Sequence, residues 1–146
     1  MAYSGKFRPR NPKKYRGDPS KIVYRSSWEA RCMTYFDTNE NVLWWASEEV
    51  IVPYKHPIDG KYHRYYPDFI IKVRQRNSQI KTIMIEVKPE YQKNAPKKQT
   101  RKTKKYINEV VTYATNQAKW KAAEDYCADR KWEFRVMTEN DLGIKS

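Results

Sequence analysis

The spacing of apolar residues first becomes regular after residue 25, where it predicts a helix. Large apolar side chains recur there at the three- and four-residue spacing of one helix face: Trp28, Cys32, Tyr35 and Phe36. Ser26 lies just before this run and Glu29 lies three residues after Ser26, which is the sequence of a capping box. We therefore predict a first helix over residues 27–37.

The middle of the chain changes to the pattern of short strands. Stretches rich in β-branched and aromatic residues follow one another, separated by turn signals such as Asp59-Gly60 and Asn77-Ser78. They cover residues 42–46, 49–54, 62–66, 68–73 and 81–87. Stretches of this length and composition predict an antiparallel or mixed sheet.

A long polar segment separates this sheet from a second helical pattern. Residues 89–105 carry many Lys and Arg residues, and loops of this length are often functional. Residues 104–130 then show one largely apolar face, formed by Tyr106, Val110, Tyr113, Gln117 and Trp120. The pattern of residues 132–137 predicts a last strand. The predicted order of elements is therefore helix, sheet, helix, strand.

The N-terminal residues show no apolar periodicity. Residues 1–21 are rich in Lys and Arg and are interrupted by Gly and Pro, which is typical of an extended segment. A chain of 146 residues is long enough for one hydrophobic core but not for two. We predict a basic N-terminal arm over residues 1–21 and a single domain over residues 22–146, with a basic loop at residues 89–105.

The charge of the chain favours a polyanionic partner. It has 30 Lys and Arg against 17 Asp and Glu, a net charge of +13 at pH 7, which favours nucleic acid. No apolar run approaches the roughly 20 residues of a membrane span, so we expect no membrane partner. Cys32 and Cys127 lack the spacing of a zinc site or a disulfide framework and are expected to be buried apolar residues.

The most informative stretches place charged residues beside apolar strands. Asp68 follows Pro67 at the start of one predicted strand, and Glu86-Val87-Lys88 ends another. Alternate side chains of a strand share a face, so Glu86 and Lys88 point the same way. If the two strands form a hairpin, Asp68 lies beside Glu86.

Two adjacent carboxylates repel each other, and a divalent cation relieves that repulsion. Mg²⁺ suits a site of two carboxylates, water and a substrate phosphate, and the backbone carbonyl of Val87 could supply a further ligand. Hydrolysis of a phosphodiester needs an in-line water and neutralisation of charge in the transition state. We expect Mg²⁺ to polarise the phosphate and Lys88 to orient the water.

Pro67-Asp68 and Glu86-Val87-Lys88, together with the order of elements, resemble the PD-(D/E)XK superfamily of nucleases. This resemblance implies a restriction-endonuclease-like α/β core, with a central mixed sheet flanked by helices. It also implies metal-dependent cleavage that leaves 5′-phosphate and 3′-hydroxyl ends, with Mg²⁺ replaceable by Mn²⁺. An acidic residue on the first helix often completes the metal site in this superfamily, and Glu29 occupies that place. Alternatively, Glu29 serves only in the capping box.

A closer resemblance covers nearly the whole chain. Long strings carry it: Ala2-Tyr3-Ser4-Gly5-Lys6, Lys14-Tyr15-Arg16-Gly17-Asp18-Pro19, Tyr24-Arg25-Ser26 with Trp28-Glu29, and Lys119-Trp120-Lys121-Ala122-Ala123. They look like the head-completion nucleases of T-even-type tailed phages. The resemblance implies an endonuclease that acts on double-stranded DNA before tail joining, with head or neck proteins as partners. It would act in the host cytoplasm during assembly, with association with the virion and a homodimer both left open.

DNA affinity is expected to come from phosphate contacts made by basic residues. The candidates are Lys6, Arg8, Arg10, Lys13, Lys14, Arg16, Lys72, Lys97, Lys98, Arg101 and Lys102. Lys72 is included because residues 68 and 72 are an even number of positions apart, so their side chains point to the same face of a strand. The alternative for these residues is a solvated basic surface.

Two functions from different classes fit these patterns. The first is an enzyme with Glu29, Asp68, Glu86 and Lys88 as its catalytic residues. The second is a non-catalytic, basic DNA-binding virion protein that plugs or gates the filled head. The sequence favours the enzyme, because a protein that only binds DNA gains nothing from carboxylates where phosphate must approach.

Overall fold

The computed structural model describes residues 2–143, and its elements follow the predicted order of helix, sheet, helix and strand. The elements, in chain order, are β1 Ala2–Lys6, β2 Val23–Ser26, α1 Ser27–Thr38, β3 Val42–Ser47, β4 Val52–Lys55, β5 Tyr62–Tyr65, β6 Phe69–Arg74, β7 Ile80–Val87, α2 Lys104–Asp129 and β8 Glu133–Met137. Residues 1 and 144–146 of the predicted arm and domain lie outside the described residues.

The central sheet contains four strands in the order β3-β6-β7-β8. β6 is antiparallel to β3 and to β7, whereas β8 is parallel to β7. The predicted mixed sheet is therefore confirmed. β4 and β5 form a separate antiparallel hairpin, and β1 pairs with β2.

The residues of β7 alternate between two hydrophobic clusters. Ile83 and Ile85 pack with residues of α1, whereas Met84 packs with residues of α2. One helix thus covers each face of the sheet, which confirms the predicted α/β fold. Glu86 and Lys88 share the face of Met84, so they lie on the side of α2.

The start of α1 agrees with the predicted capping motif. Oγ of Ser26 accepts the N–H of Glu29 at 3.1 Å. Oε1 of Glu29 accepts the N–H of Arg25 at 3.4 Å, one residue earlier than in a standard capping box. The helix ends one residue beyond the predicted span.

The buried face of α2 differs from the predicted one. The buried residues are Asn116, Trp120, Ala123 and Cys127, all from the middle of the helix onward. Val110 and Gln117, which we placed on the apolar face, are exposed. The predicted face is confirmed at Trp120 and wrong at Val110 and Gln117, because packing under the hairpin and β8 decides which residues are buried, and the first turns of α2 take little part in it.

The N-terminal segment is not an extended arm, in contrast to the prediction. β1 pairs with β2, and the ring of Tyr15 packs edge-on against Trp45 at 4.8 Å. The buried carboxylate of Asp37 accepts the backbone N–H groups of Arg10 at 2.8 Å and Asn11 at 3.2 Å. Apolar periodicity is absent because strand pairing, a buried carboxylate and single large side chains hold this segment.

Cys32 and Cys127 are free and buried, as expected. Burial raises the pKa of Cys32 to about 12, so its thiol stays protonated at neutral pH. Across residues 2–143, none of the helices has the length and apolar character needed to span a membrane.

Candidate active site

An open cleft of about 490 Å³ lies beside α2, near the ends of β5 and β7 and the start of β6. Its lining side chains are Arg25, Glu48, Arg64, Tyr65, Tyr66, Asp68, Glu86, Lys88 and Lys119. Three of the predicted catalytic residues, Asp68, Glu86 and Lys88, therefore meet in one cleft.

The pairing of β6 with β7 brings Asp68 and Glu86 together. Phe69 pairs with Ile85, so Asp68 lies opposite Glu86 at the next position. The N–H of Val87 donates to Oδ2 of Asp68 at 2.7 Å. Within the described chain, Oδ1 of Asp68 accepts no hydrogen bond, so this oxygen is available to a cation.

The ionised form of Asp68 is costly in this environment. Burial and the neighbouring Glu86 carboxylate raise the pKa of Asp68 well above its usual value, and Glu29 adds to this shift. The Val87 N–H and Lys88 lower the pKa, but they are outweighed. A cation in the cleft would favour the ionised carboxylate.

The carboxylate of Glu86 is buried and held on both oxygens. The hydroxyl of Tyr65 donates to Oε1 at 2.7 Å, and Nζ of Lys88 lies 3.3 Å from Oε2. Burial and the charge of Glu86 raise the pKa of Tyr65, so its hydroxyl remains a donor. These contacts fix the orientation of Glu86 towards the cleft.

Glu29 lies next to the cleft rather than in its lining. It is half-buried, and burial raises its pKa, with a further contribution from the charge of Glu48. The charge of Glu29 in turn contributes to the raised pKa of Asp68. Glu29 is therefore both a residue of the α1 N-terminus and a close neighbour of the carboxylate pair.

Glu48 is a carboxylate of the cleft that sequence analysis did not select. Its φ is 53°, in the left-handed region that residues with a Cβ rarely adopt. Its N–H donates to the carbonyl of Asp68 at 3.2 Å, and its carboxylate lies 3.3 Å from Nη2 of Arg25. No local sequence signal indicates this position, because it depends on the pairing of β3 with β6.

Lys119 enters the cleft from α2 and was also missed as a site residue. It is half-buried, and its ammonium lies 5.8 Å from the ring centroid of Tyr54 and 5.6 Å from that of Tyr65. Burial, and then the charge of Lys88, lower its pKa. Its position beside the buried Trp120 could have indicated that Lys119 lies at the edge of the packed face.

Two of the predicted DNA-binding residues, Lys14 and Lys72, are partly buried in the structure and not fully exposed. Nζ of Lys14 donates to the carbonyls of Asp37 at 3.0 Å and Asn39 at 2.9 Å, where it stabilises the end of α1. Lys72 is partly buried in β6, about 13 Å along the strand from Asp68, and does not line the cleft. The remaining candidates are exposed: Lys6, Arg8, Arg10, Lys13, Arg16, Lys97, Lys98, Arg101 and Lys102.

The donor set of the cleft fits a hard divalent cation such as Mg²⁺. Asp68 and Glu86 offer carboxylate oxygens, which are the ligands that Mg²⁺ prefers, and a cation would offset the burial and the Glu86 charge that raise the pKa of Asp68. Val87 contributes its N–H to Asp68, and its carbonyl stays a predicted ligand.

A separate group of metal-ligating side chains lies at the turn between β4 and β5. His56, Asp59 and His63 each offer one atom, and these atoms lie within 4.8 Å of one another. None of the three lines the cleft. Imidazole nitrogens suit transition metals rather than Mg²⁺, so this group is distinct from the carboxylate pair.

Comparison with known proteins identifies a matching family and a similar protein. A family model described as "TnsA-like endonuclease N terminal" matches residues 39–139, which include Asp68, Glu86 and Lys88. The head completion nuclease of Enterobacteria phage T4 is 40% identical over 146 residues, covering 97% of this chain and 95% of that protein. These matches confirm the resemblance that the sequence motifs indicated.

Proposed function

The chain belongs to the TnsA-like endonuclease family and to the head completion nucleases of phages, and from this premise we propose that it is a Mg²⁺-dependent deoxyribonuclease acting in phage head completion. Its substrate is double-stranded DNA, and it acts in the host cytoplasm while heads are being completed, together with head or neck proteins.

The observation that carries this proposal is the meeting of Asp68, Glu86 and Lys88 in one open cleft. Two carboxylates that face each other in a basic protein oppose the approach of a phosphate unless a cation joins them. The proximity of the Lys88 ammonium to Glu86 places a positive charge beside that pair. A binding protein without catalytic activity has no need of this arrangement.

In the proposed reaction, water attacks phosphorus in line with the 3′ oxygen and loses a proton to solvent, while the bond from phosphorus to the 3′ oxygen breaks. The leaving 3′ oxygen takes up a proton from solvent. The products are a 5′-phosphate and a 3′-hydroxyl. Asp68 and Glu86, with the Val87 carbonyl and Glu29 as further candidates, would hold a divalent cation, which would supply positive charge against the phosphate and acidify water. Mn²⁺ has the same ligand preference and can replace Mg²⁺.

The side chains of the chain have separate tasks in this reaction. Lys88 orients the attacking water and offsets negative charge in the transition state. Tyr65 holds Glu86 in one orientation through its hydrogen bond. The exposed Lys and Arg residues of the N-terminal segment and of the loop before α2 contact phosphates farther along the duplex.

The test is incubation of the purified protein with linear and circular duplex DNA in Mg²⁺, Mn²⁺ or EDTA. The matched variants are Lys88→Ala and Lys121→Ala, which remove the same charge inside and outside the cleft. We expect metal-dependent cleavage that Lys88→Ala abolishes and Lys121→Ala retains, and cutting of circles identifies an endonuclease. Salt-sensitive binding without cleavage in any metal would overturn the proposal and favour the non-catalytic plug or gate.

A further inference from the structure

Lys119 is a partly buried cation of the cleft that forms no ion pair within the described part of the chain. Among residues 2–143, no carboxylate forms an ion pair or hydrogen bond with it. In contrast, Lys88 lies 3.3 Å from Glu86, and Arg25 lies 3.3 Å from Glu48. Arg64, the remaining cation of the cleft, is exposed to water.

The position of the Lys119 ammonium is fixed by aromatic rings. It lies within 6 Å of the ring centroids of Tyr54 and Tyr65, a distance at which the ring faces attract a cation. Both tyrosines belong to the β4–β5 hairpin and are buried. The ammonium therefore lies against the two rings, on the cleft side of the hairpin, without any ligand present.

Burial of an unpaired ammonium costs free energy, and burial indeed lowers the pKa of Lys119. Of the carboxylates that line the cleft, Glu86 is bound by Tyr65 and Lys88, and Glu48 by Arg25. The charges of Glu86 and Asp68 oppose the lowering of the Lys119 pKa only in part, and the free oxygen of Asp68 is the proposed ligand of the cation. An anion from solution is the partner that would offset the cost. In a strongly basic chain whose proposed substrate is DNA, this anion is a backbone phosphate.

We propose that Lys119 forms a phosphate-binding subsite, in which its ammonium contacts a non-bridging oxygen of a phosphate in the strand that is cut. This subsite rests on the proposed nuclease function and adds a substrate contact to it. Lys88 and Lys119 then divide their tasks. Lys88 acts beside the carboxylate pair during the reaction, whereas Lys119 positions the substrate before it.

The test compares three variants. Lys119→Met keeps an apolar stem over the tyrosine rings but removes the charge, and Lys119→Arg keeps the charge. Lys121→Met removes the same charge from the exposed side of the same helix and is the matched control. For each protein, kcat and KM are measured in Mg²⁺, and Kd for a duplex oligonucleotide is measured by fluorescence anisotropy in EDTA at several salt concentrations.

We expect Lys119→Met to raise KM and Kd about tenfold, with a small change in kcat. The slope of log Kd against log salt should fall by about 0.9, the value for one phosphate contact on duplex DNA. Lys119→Arg should restore most of the affinity. Lys121→Met should change Kd and the slope much less than Lys119→Met.

Equal effects of Lys119→Met and Lys121→Met on Kd would overturn the subsite, since they would show that only total charge matters. An unchanged Kd with a lower melting temperature would also overturn it, because Lys119 would then be structural. Failure of the wild-type protein to cleave would refute the proposed function, while the binding measurements would still decide whether Lys119 contacts phosphate.

Discussion

The buried hydroxyl of Tyr65 donates a hydrogen bond of 2.7 Å to Oε1 of Glu86 and so connects the β4–β5 hairpin to the end of β7. Tyr65 is 4% exposed and Glu86 is 5% exposed, so water does not readily replace this contact. Partners of this kind orient the carboxylates that bind a metal. Tyr65 is therefore a positioning residue for the proposed site.

Replacing Tyr65 with Phe should raise the Mg²⁺ concentration needed for half-maximal cleavage by about 10- to 100-fold. The ring remains and fills the same space, so the fold should be retained, but Glu86 loses its hydroxyl donor. The measurement is the cleavage rate as a function of Mg²⁺ concentration. Tyr62→Phe, an exposed position in the same strand, is the control. An unchanged Mg²⁺ dependence in Tyr65→Phe would contradict the positioning role.

Replacing Asp68 with Asn should abolish cleavage and raise the melting temperature by a few degrees at neutral pH. The folded-state pKa of Asp68 is raised above 3.8, its usual value, so the native state binds more protons than the unfolded state between these two values. The free energy of unfolding therefore falls as pH rises through this window, and stays lowered above it. The measurement is thermal unfolding of both proteins across the pH range in EDTA, where the Asp68→Asn variant should show a flatter curve.

The same variant reports on metal binding. Mg²⁺ should raise the melting temperature of the wild-type protein, because a ligand that binds the folded state stabilises it. Asp68→Asn should reduce that effect, whereas His56→Asn should not, because Mg²⁺ is expected to bind the carboxylates and not the histidines of the β4–β5 turn. A lower melting temperature of Asp68→Asn in EDTA would show that the ionised carboxylate stabilises the fold, which contradicts a raised pKa.

The sequence predicted those parts of the fold and site that depend on residues close together along the chain. The Ser26 cap determines where α1 begins. A short connection between β6 and β7 favours a hairpin, and that hairpin places Asp68 beside Glu86. Strand alternation then places Lys88 on the face of Glu86. Each step depends on local spacing, which is visible in a single sequence.

The missed features depend on residues that are distant in sequence. Glu48 reaches the cleft because β3 pairs with β6, and Lys119 reaches it because α2 packs over the β4–β5 hairpin. The N-terminal segment was predicted as an arm because it is held by isolated residues that form no periodic pattern. These residues are Tyr15 and Asp37, whose carboxylate binds the backbone of the segment. Tertiary contacts of this kind leave no regular pattern along the chain.

Deleting residues 1–21 should unfold the protein or strongly destabilise it. The deletion removes Tyr15 from its contact with Trp45 and leaves the buried Asp37 carboxylate without its N–H donors. Loss of Tyr15 also exposes part of the core cluster around Trp45 to water, and truncation of a large core side chain costs several kcal/mol. Circular dichroism and thermal unfolding of the truncated chain provide the measurement.

The control for this deletion keeps the backbone and changes only the charge. Replacing Lys6, Arg8, Arg10 and Lys13 with Gln should leave the melting temperature nearly unchanged, since these side chains are exposed and the Asp37 contacts use backbone N–H groups. It should reduce the salt dependence of DNA binding. A truncated chain that melts at the wild-type temperature would mean that the segment is not part of the folded core.

Replacing Glu48 with Gly should stabilise the fold by about 1 kcal/mol, because a left-handed conformation costs a residue with a Cβ about that much. The ion pair with Arg25 that is lost is largely exposed on the Arg25 side, so its loss should offset little of the gain. Denaturant unfolding provides the measurement. Glu48→Gln removes the same charge but keeps the Cβ, and it should stay within about 0.5 kcal/mol of the wild-type protein. If the Glu48→Gly variant is less stable than the Glu48→Gln variant, the side chain of Glu48 holds this turn, and the left-handed conformation is not a source of strain.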